Sequence, residues 1–141
     1  MRVITGTARG RVLRTLEGED VRPTTDRVKE AVFSIIQFEI EGRRVLDLFA
    51  GSGQLGIEAL SRGAASATFV DMSKDSLSAV KYNLEHTKLG DNAKVVQTDA
   101  LSFLKLTKDK FDIVFLDPPY ASSLVVDSMK LLSDVVAAGG C

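Results

Sequence analysis

The run Val45-Leu46-Asp47-Leu48-Phe49-Ala50-Gly51-Ser52-Gly53-Gln54-Leu55-Gly56 limits the fold more than any other part of the chain. Val45 to Phe49 is apolar apart from Asp47, as expected of a parallel strand covered on both faces. Gly51 and Gly53 remove side chains where a ligand could lie against the backbone. Gly56 lets the next helix approach the strand closely. That helix continues through Ile57, Ala59 and Leu60 and stops near Gly63, a natural residue to follow a helix C-cap. A strand, a glycine turn and a helix in this order make an α/β unit. The opening amides of the helix are available to an anion.

Two ligand classes fit this unit. Gly51-x-Gly53-x-x-Gly56 followed by Asp71, twenty positions after Gly51, has the spacing of a dinucleotide fingerprint. Asp47 favours the other class. A carboxylate beside the glycine loop repels a pyrophosphate. It suits S-adenosylmethionine, which carries an ammonium and a sulfonium and has a carboxylate for the helix amides.

The rest of the chain alternates in the same way. Ala67–Val70 reads as a second strand ending at Asp71, and Ser73 as the cap of a helix marked by Leu77, Val80 and Leu84. Lys94–Gln97 is a third strand followed by Thr98 and Asp99. Ala100–Leu106 is a short helix, and Phe111–Leu116 a fourth strand. Ser122–Ala138 reads as a last helix. The pattern is a doubly wound, Rossmann-like sheet, whose ligand sites lie at the carboxyl ends of its strands. Asp47, Asp71, Asp99 and Asp117 all fall at or near such ends.

Ahead of this sheet, Val3-Ile4 and Val12-Leu13 flank Gly6 and Gly10, which predicts a hairpin or extended arm. Arg22-Pro23-Thr24-Thr25-Asp26 has the residue types of a helix entrance. Val28, Ala31, Val32, Ile35 and Ile36 then have the spacing of one buried helix face. Residues 1–44 hold nine Lys/Arg against seven Asp/Glu, and residues 45–141 nine against twelve. A basic arm, with Arg9, Arg11 and Arg14, ahead of an acidic ligand-binding body suits contact with RNA. The single Cys141 excludes an intrachain disulfide and a cysteine metal cluster. That fits a reducing cytoplasm. No run reaches membrane-span length, and His86, the one histidine, reads as a surface residue.

Phe115-Leu116-Asp117-Pro118-Pro119-Tyr120 carries the chemistry. Two prolines after a strand make a stiff turn without amide donors. What remains is an acceptor array, suited to holding an exocyclic amino group, with the Tyr120 ring available to stack on a base. Asp47-Leu-Phe-Ala-Gly-Ser-Gly together with Asp117-Pro-Pro-Tyr resembles the class I methyltransferases that act on exocyclic amines of nucleobases. The stretch from Arg22 to Phe33 and the leading Gly6-x-x-Arg9-Gly10-Arg11 narrow the resemblance. They are similar to the bacterial small-subunit (16S) rRNA guanine-N2 methyltransferases (RsmD-like).

The resemblance implies a role for each position. Asp47, Phe49, Gly51, Ser52 and Gly53 would line the methionine end of S-adenosylmethionine. Asp71 would accept the ribose hydroxyls, Met72 would lie against the adenine, and Asp99 with Ala100 would receive its amino group. Asp117, Pro118, Pro119 and Tyr120 would hold the target guanine, with Asp117 also near the cofactor. Arg22, Thr24 and Arg27 would close over the cofactor and touch ribosomal RNA, with Arg9, Arg11 and Arg14 of the basic arm also facing it, presented in a small-subunit particle, with no metal and no membrane involved. Three further strands are expected in the family beyond the Asp-Pro-Pro-Tyr strand, so the chain reads as one methyltransferase domain truncated after its fourth strand and following helix. A DNA adenine-N6 methyltransferase shares the Asp-Pro-Pro-Tyr signature and is the runner-up. A dinucleotide-binding protein and an inactive cofactor-binding fragment are the other readings.

Overall fold

The computed structural model describes residues 3–13, 26–36 and 39–116. After a closed loop over residues 3–13 come helix α1 (Asp26–Ile36), strand β1 (Arg44–Leu48), helix α2 (Gln54–Ser61) and strand β2 (Ser66–Asp71). Helix α3 (Lys74–Thr87), a 3-10 turn (Gly90–Asn92), strand β3 (Ala93–Gln97), helix α4 (Ala100–Leu106) and strand β4 (Ile113–Leu116) complete the described chain.

The four strands form one parallel sheet in the order β3-β2-β1-β4. Successive crossovers through α2 and α3 move the chain outward from β1. The crossover through α4 then returns it to the other side of β1, which places α4 on the opposite face. The two cores record this division. Val45, Ala67, Phe69, Ile113 and Phe115 pack with Phe33, Ile57, Leu60, Val80 and Leu84. On the other face, Leu46, Leu48 and Val70 pack with Ala100, Phe103, Leu104 and Phe111. Strand order reverses between β1 and β4, and such a switch point opens a crevice at the strands' carboxyl ends.

Local chemistry sets the element ends. Ser73 caps α3 by accepting the Ser76 N–H at 3.2 Å. Lys88 closes that helix with φ near 61°. Gly63 follows the C-cap of α2 at φ 103°, a conformation that favours glycine. Gly56 is required for a different reason: a Cβ there would stand 2.4 Å from Phe69 Cε1. Its missing side chain lets α2 lie directly on β2.

The buried face of α1 differs from the expected one. Ala31 is exposed and Ile35 is 83% exposed. Lys29, Phe33 and Ile36 are buried instead, with Val32 partly so. Two interactions rotate the helix this way. Phe33 packs against the Phe115 ring of β4 at 5.5 Å, and Lys29 Nζ lies 3.4 Å from Glu58 Oε1, both side chains fully buried. The Val28 side chain lies outside the described residues.

Glu58 organises the whole N-terminal flank. Its carboxylate also accepts the Ile4 N–H at 2.7 Å, the Thr5 N–H at 3.1 Å and Arg62 Nε at 2.9 Å. Arg62 in turn lies over the Phe33 ring, 4.7 Å from its centroid. The loop is closed on itself by Val3 N–H to Arg11 O and Gly10 N–H to Val3 O, both 2.9 Å. This is a hairpin-like closure, docked on the last turn of α2. Ser61 Oγ accepts the Ala8 N–H and donates to Thr5 O. A Cβ on Gly6 would sit 1.8 Å from Ser61 O, so only glycine fits there.

Candidate active site

The carboxyl ends of β1 and β2 are bound together by the glycine loop. Strand β1 runs into Phe49, whose φ of 62° is rare for a bulky residue. Such backbone strain persists only where surrounding structure enforces it. Here Ala50 N–H is held by Val70 O at 2.9 Å, and Gly53 N–H by Ala50 O at 2.8 Å. Gly51 and Gly53 also have positive φ, 59° and 84°. Among the described residues nothing lies within 4 Å of the Cβ position of Gly51, so none of them fills the space above this part of the loop.

Asp47 has turned toward α2. It is 2% exposed, and its Oδ2 accepts the Gly56 N–H at 3.0 Å. One of the helix amides expected to be open to a ligand is therefore taken by this carboxylate. Asp47 acts as a remote cap for α2 and places negative charge directly under the glycine loop.

Asp71 ends β2 with two backbone bonds, from Gly51 N–H to Oδ2 at 2.9 Å and from Ser73 N–H to Oδ1 at 2.8 Å. Each oxygen retains a further lone pair for an incoming donor. The adjacent Met72 is 68% exposed. On the neighbouring strand, Thr98 N–H reaches Asp71 O at 3.2 Å, which brings Asp99 to the same edge. Asp99 caps α4, accepting the Ser102 N–H at 3.0 Å. Hydrogen bonds from the Ser102 side chain and backbone hold its carboxyl below the ordinary aspartate range, so it stays an ionised acceptor. Ala100, the first residue of α4, is buried beside it.

Thus Asp47, Phe49, Gly51, Ser52, Gly53, Asp71, Met72, Asp99 and Ala100 lie along the carboxyl edge of β1, β2 and β3. Arg9 and Arg11 do not join them. They are exposed on the N-terminal loop, which docks at the far end of α2, about 12 Å along that helix from the glycine loop. Arg27 lies in α1 with its side chain outside the described residues. Arg14, Arg22, Thr24 and Asp117 to Tyr120 also lie outside them. Strand β4 delivers the chain toward Asp117 with Leu116 opposite Leu48.

Two residues that support the site were not singled out from the sequence. Asn83 of α3 is fully buried and donates its Nδ2 to Ser52 O at 2.9 Å. Gln54, first in α2, is 5% exposed and donates Nε2 to Ser52 Oγ at 3.1 Å. The only signal was an amide at a position where the helix pattern calls for an apolar residue. His86 is exposed, as expected, and stacks on Tyr82. Among the described residues, no group of three His, Cys, Asp or Glu could hold a metal ion, and no helix is long and apolar enough to cross a membrane.

Comparison with known proteins agrees with this fold. Residues 1–138 match the family model described as "Conserved hypothetical protein 95". The chain is 42% identical over 137 residues to the ribosomal RNA small subunit methyltransferase D of Haemophilus influenzae, covering 95% of this chain and 71% of that one. It is 43% identical over 134 residues to the protein of the same name in Escherichia coli K12, covering 95% and 67%. A solved structure of a hypothetical protein from Thermus thermophilus superposes with a TM-score of 0.87 at 34% identity, covering 99% of this chain and 82% of that chain. The chain belongs to the conserved hypothetical protein 95 family, that of the ribosomal RNA small subunit methyltransferase D proteins.

Proposed function

We propose that the protein methylates the exocyclic N2 amine of a guanine in 16S ribosomal RNA, with S-adenosylmethionine as methyl donor, in the cytoplasm. The observation that carries the cofactor part is the Asp71 carboxylate at the tip of β2, fixed by Gly51 and Ser73 beside a glycine loop whose Gly51 no other described residue crowds. The names of the relatives carry the RNA part.

The donor set fits such a cofactor. Bound there, it supplies an electrophilic methyl group on a sulfonium. Asp71 accepts ribose hydroxyls through its free lone pairs, Met72 offers an exposed apolar face to the adenine, and ionised Asp99 accepts the adenine amino group. Asp47 contributes negative charge beneath a ligand end that carries positive charge. In this reading Asp117 and the Pro118 carbonyl accept from the guanine amine, Pro119 stiffens the turn, and Tyr120 stacks on the base. Holding an amine in line with a methyl donor requires orientation and electrostatics more than a strong base. The proton leaves after the methyl arrives, when the nitrogen is cationic and acidic. Arg9, Arg11, Arg14, Arg22, Thr24 and Arg27 form the RNA-facing set, in which Arg9 and Arg11, exposed on the N-terminal loop, meet phosphates away from the reacting base.

Calorimetric titration with S-adenosylhomocysteine and with NAD tests the cofactor, and radiolabelled methyl transfer to small-subunit particles and to naked 16S RNA tests the substrate. The reading expects binding of the first ligand only, and label in RNA. Binding of NAD alone would overturn it.

A further inference from the structure

Helix α3 meets the glycine loop through two residues one turn apart, Val80 and Asn83. A Cβ on Gly53 would stand 3.1 Å from Val80 Cγ2 and 3.2 Å from Phe69 Cε1, so the missing side chain lets the helix come this close. Asn83 is fully buried and donates Nδ2 to Ser52 O at 2.9 Å. The contact fixes the sense of the amide, because only its nitrogen can donate to a carbonyl. Thr87 Oγ1 donates to Asn83 O at 2.7 Å, within the same helix. Asn83 lies between the core residues Val80 and Leu84, and its amide is turned onto a loop rather than onto its own helix. A buried polar group so placed needs an explanation.

The Ser52–Gly53 peptide supplies one. Gly53 has φ near 84°, and glycine takes either sign of φ at little cost. Turning this peptide over needs rotation only about ψ of Ser52 and φ of Gly53, so the loop sequence alone does not choose its orientation. Two bonds choose it. Gly53 N–H reaches Ala50 O at 2.8 Å, within the loop. Ser52 O accepts from Asn83, and of the two only this bond ties the peptide to another element. We propose that Asn83 is a positioning residue for the cofactor: it holds the Ser52–Gly53 peptide in the orientation in which the glycine loop receives the methionine end. Asn83 is buried and acts through the loop backbone, not on the ligand. It sets the loop before the ligand arrives, so binding does not have to order it. The inference rests on the cofactor reading above and adds a residue of α3 to it.

The test compares two ligands on the parent protein, on Asn83→Leu and Asn83→Ala, and on Thr87→Val. The last removes a buried hydrogen bond of the same helix that does not touch the loop. S-Adenosylhomocysteine has the amino-acid end, and methylthioadenosine lacks it. Calorimetry should show both Asn83 variants binding S-adenosylhomocysteine about tenfold more weakly than the parent, and binding methylthioadenosine equally well. Thr87→Val should melt lower yet bind both ligands as the parent does. In the ligand-free Asn83 variants the amide resonances of Gly51 and Gly53 should move, while those of Gly42 and Gly63 stay. Parent-like affinity of a folded Asn83 variant for S-adenosylhomocysteine would overturn this inference alone. So would unmoved Gly51 and Gly53 resonances, equal losses for both ligands, or the same selective loss in Thr87→Val, each of which makes Asn83 a structural prop. Should neither Asn83 variant fold, hydrogen exchange on the parent decides. A Gly53 amide protected without ligand supports the inference, and one protected only with S-adenosylhomocysteine overturns it. If the parent binds neither ligand, the cofactor reading fails and takes this inference with it.

Discussion

The backbone N–H of Gly51 donates to Asp71 Oδ2 at 2.9 Å, so the glycine loop after one strand is tied to the carboxylate that ends the next. In the proposed function the same carboxylate accepts a ligand's hydroxyls, which would couple loop shape to ligand binding. Asp71→Ala removes both roles. Charge-assisted bonds of this kind contribute roughly 1.5–3 kcal/mol each, so affinity for S-adenosylhomocysteine should fall at least tenfold by calorimetry. Parent-like affinity would leave Asp71 as a tie for the loop only.

Glu58 should be the most sensitive position in the N-terminal flank. Replacing it by Ala leaves the buried Lys29 ammonium without this carboxylate and strips the acceptor from Ile4 and Thr5. Removing one member of a buried ion pair costs about 3–5 kcal/mol, measurable as a lowered denaturation midpoint. The double variant Lys29→Met/Glu58→Met should lose less than Glu58→Ala, since the fully buried Lys29 ammonium is not stranded, although Arg62 loses its carboxylate in both. Equal losses would show that the pair itself is not the main term.

Acid should weaken the junction of β1 and β4. The Arg44 side-chain hydrogen bond is the main cause holding Asp112 below the ordinary aspartate range, and Arg44 is raised in turn. A carboxyl with a depressed pKa in the folded state binds protons more readily when unfolded. Its stabilisation is therefore complete above the ordinary aspartate pKa and is lost as pH falls through the lower folded value. The stability gap between the parent and Asp112→Asn should be constant near neutrality and close only in acid. A gap that stays open through the acid range would contradict this.

The exposed Arg9 and Arg11 should act on RNA through charge alone. Replacing both by Ala should weaken binding at low salt and make the dependence of log affinity on log salt shallower by about 1–2 units. An unchanged slope would make the loop a purely structural cap on α2.

Much of this was legible in the chain because glycines and strand-end acids constrain backbone directly. Gly56, Gly63, Ser73 and the order of strands and helices follow from local rules. The buried face of α1 was not legible. Lys29 reads as a solvent-facing residue until Glu58, far along the chain, is known to be its buried partner. Gln54 and Asn83 were missed for the same reason: an amide in a helix pattern looks the same whether it meets water or another buried group. Asp47 and Asp99 were found as strand-end acids, but their roles as helix caps depend on where Gly56 and Ser102 come to lie.

The central claim is transfer of a methyl group to a guanine amine, and the product nucleoside tests it most directly. Small-subunit particles or 16S RNA incubated with the protein and labelled S-adenosylmethionine should be digested to nucleosides and separated with mass detection. The account predicts label in N2-methylguanosine, lost with Asp117→Ala while affinity for S-adenosylhomocysteine is nearly intact, because the loss is felt in the transition state. Label in N6-methyladenosine, on a ring carbon or on a ribose oxygen, or parent-rate transfer by Asp117→Ala, would contradict it.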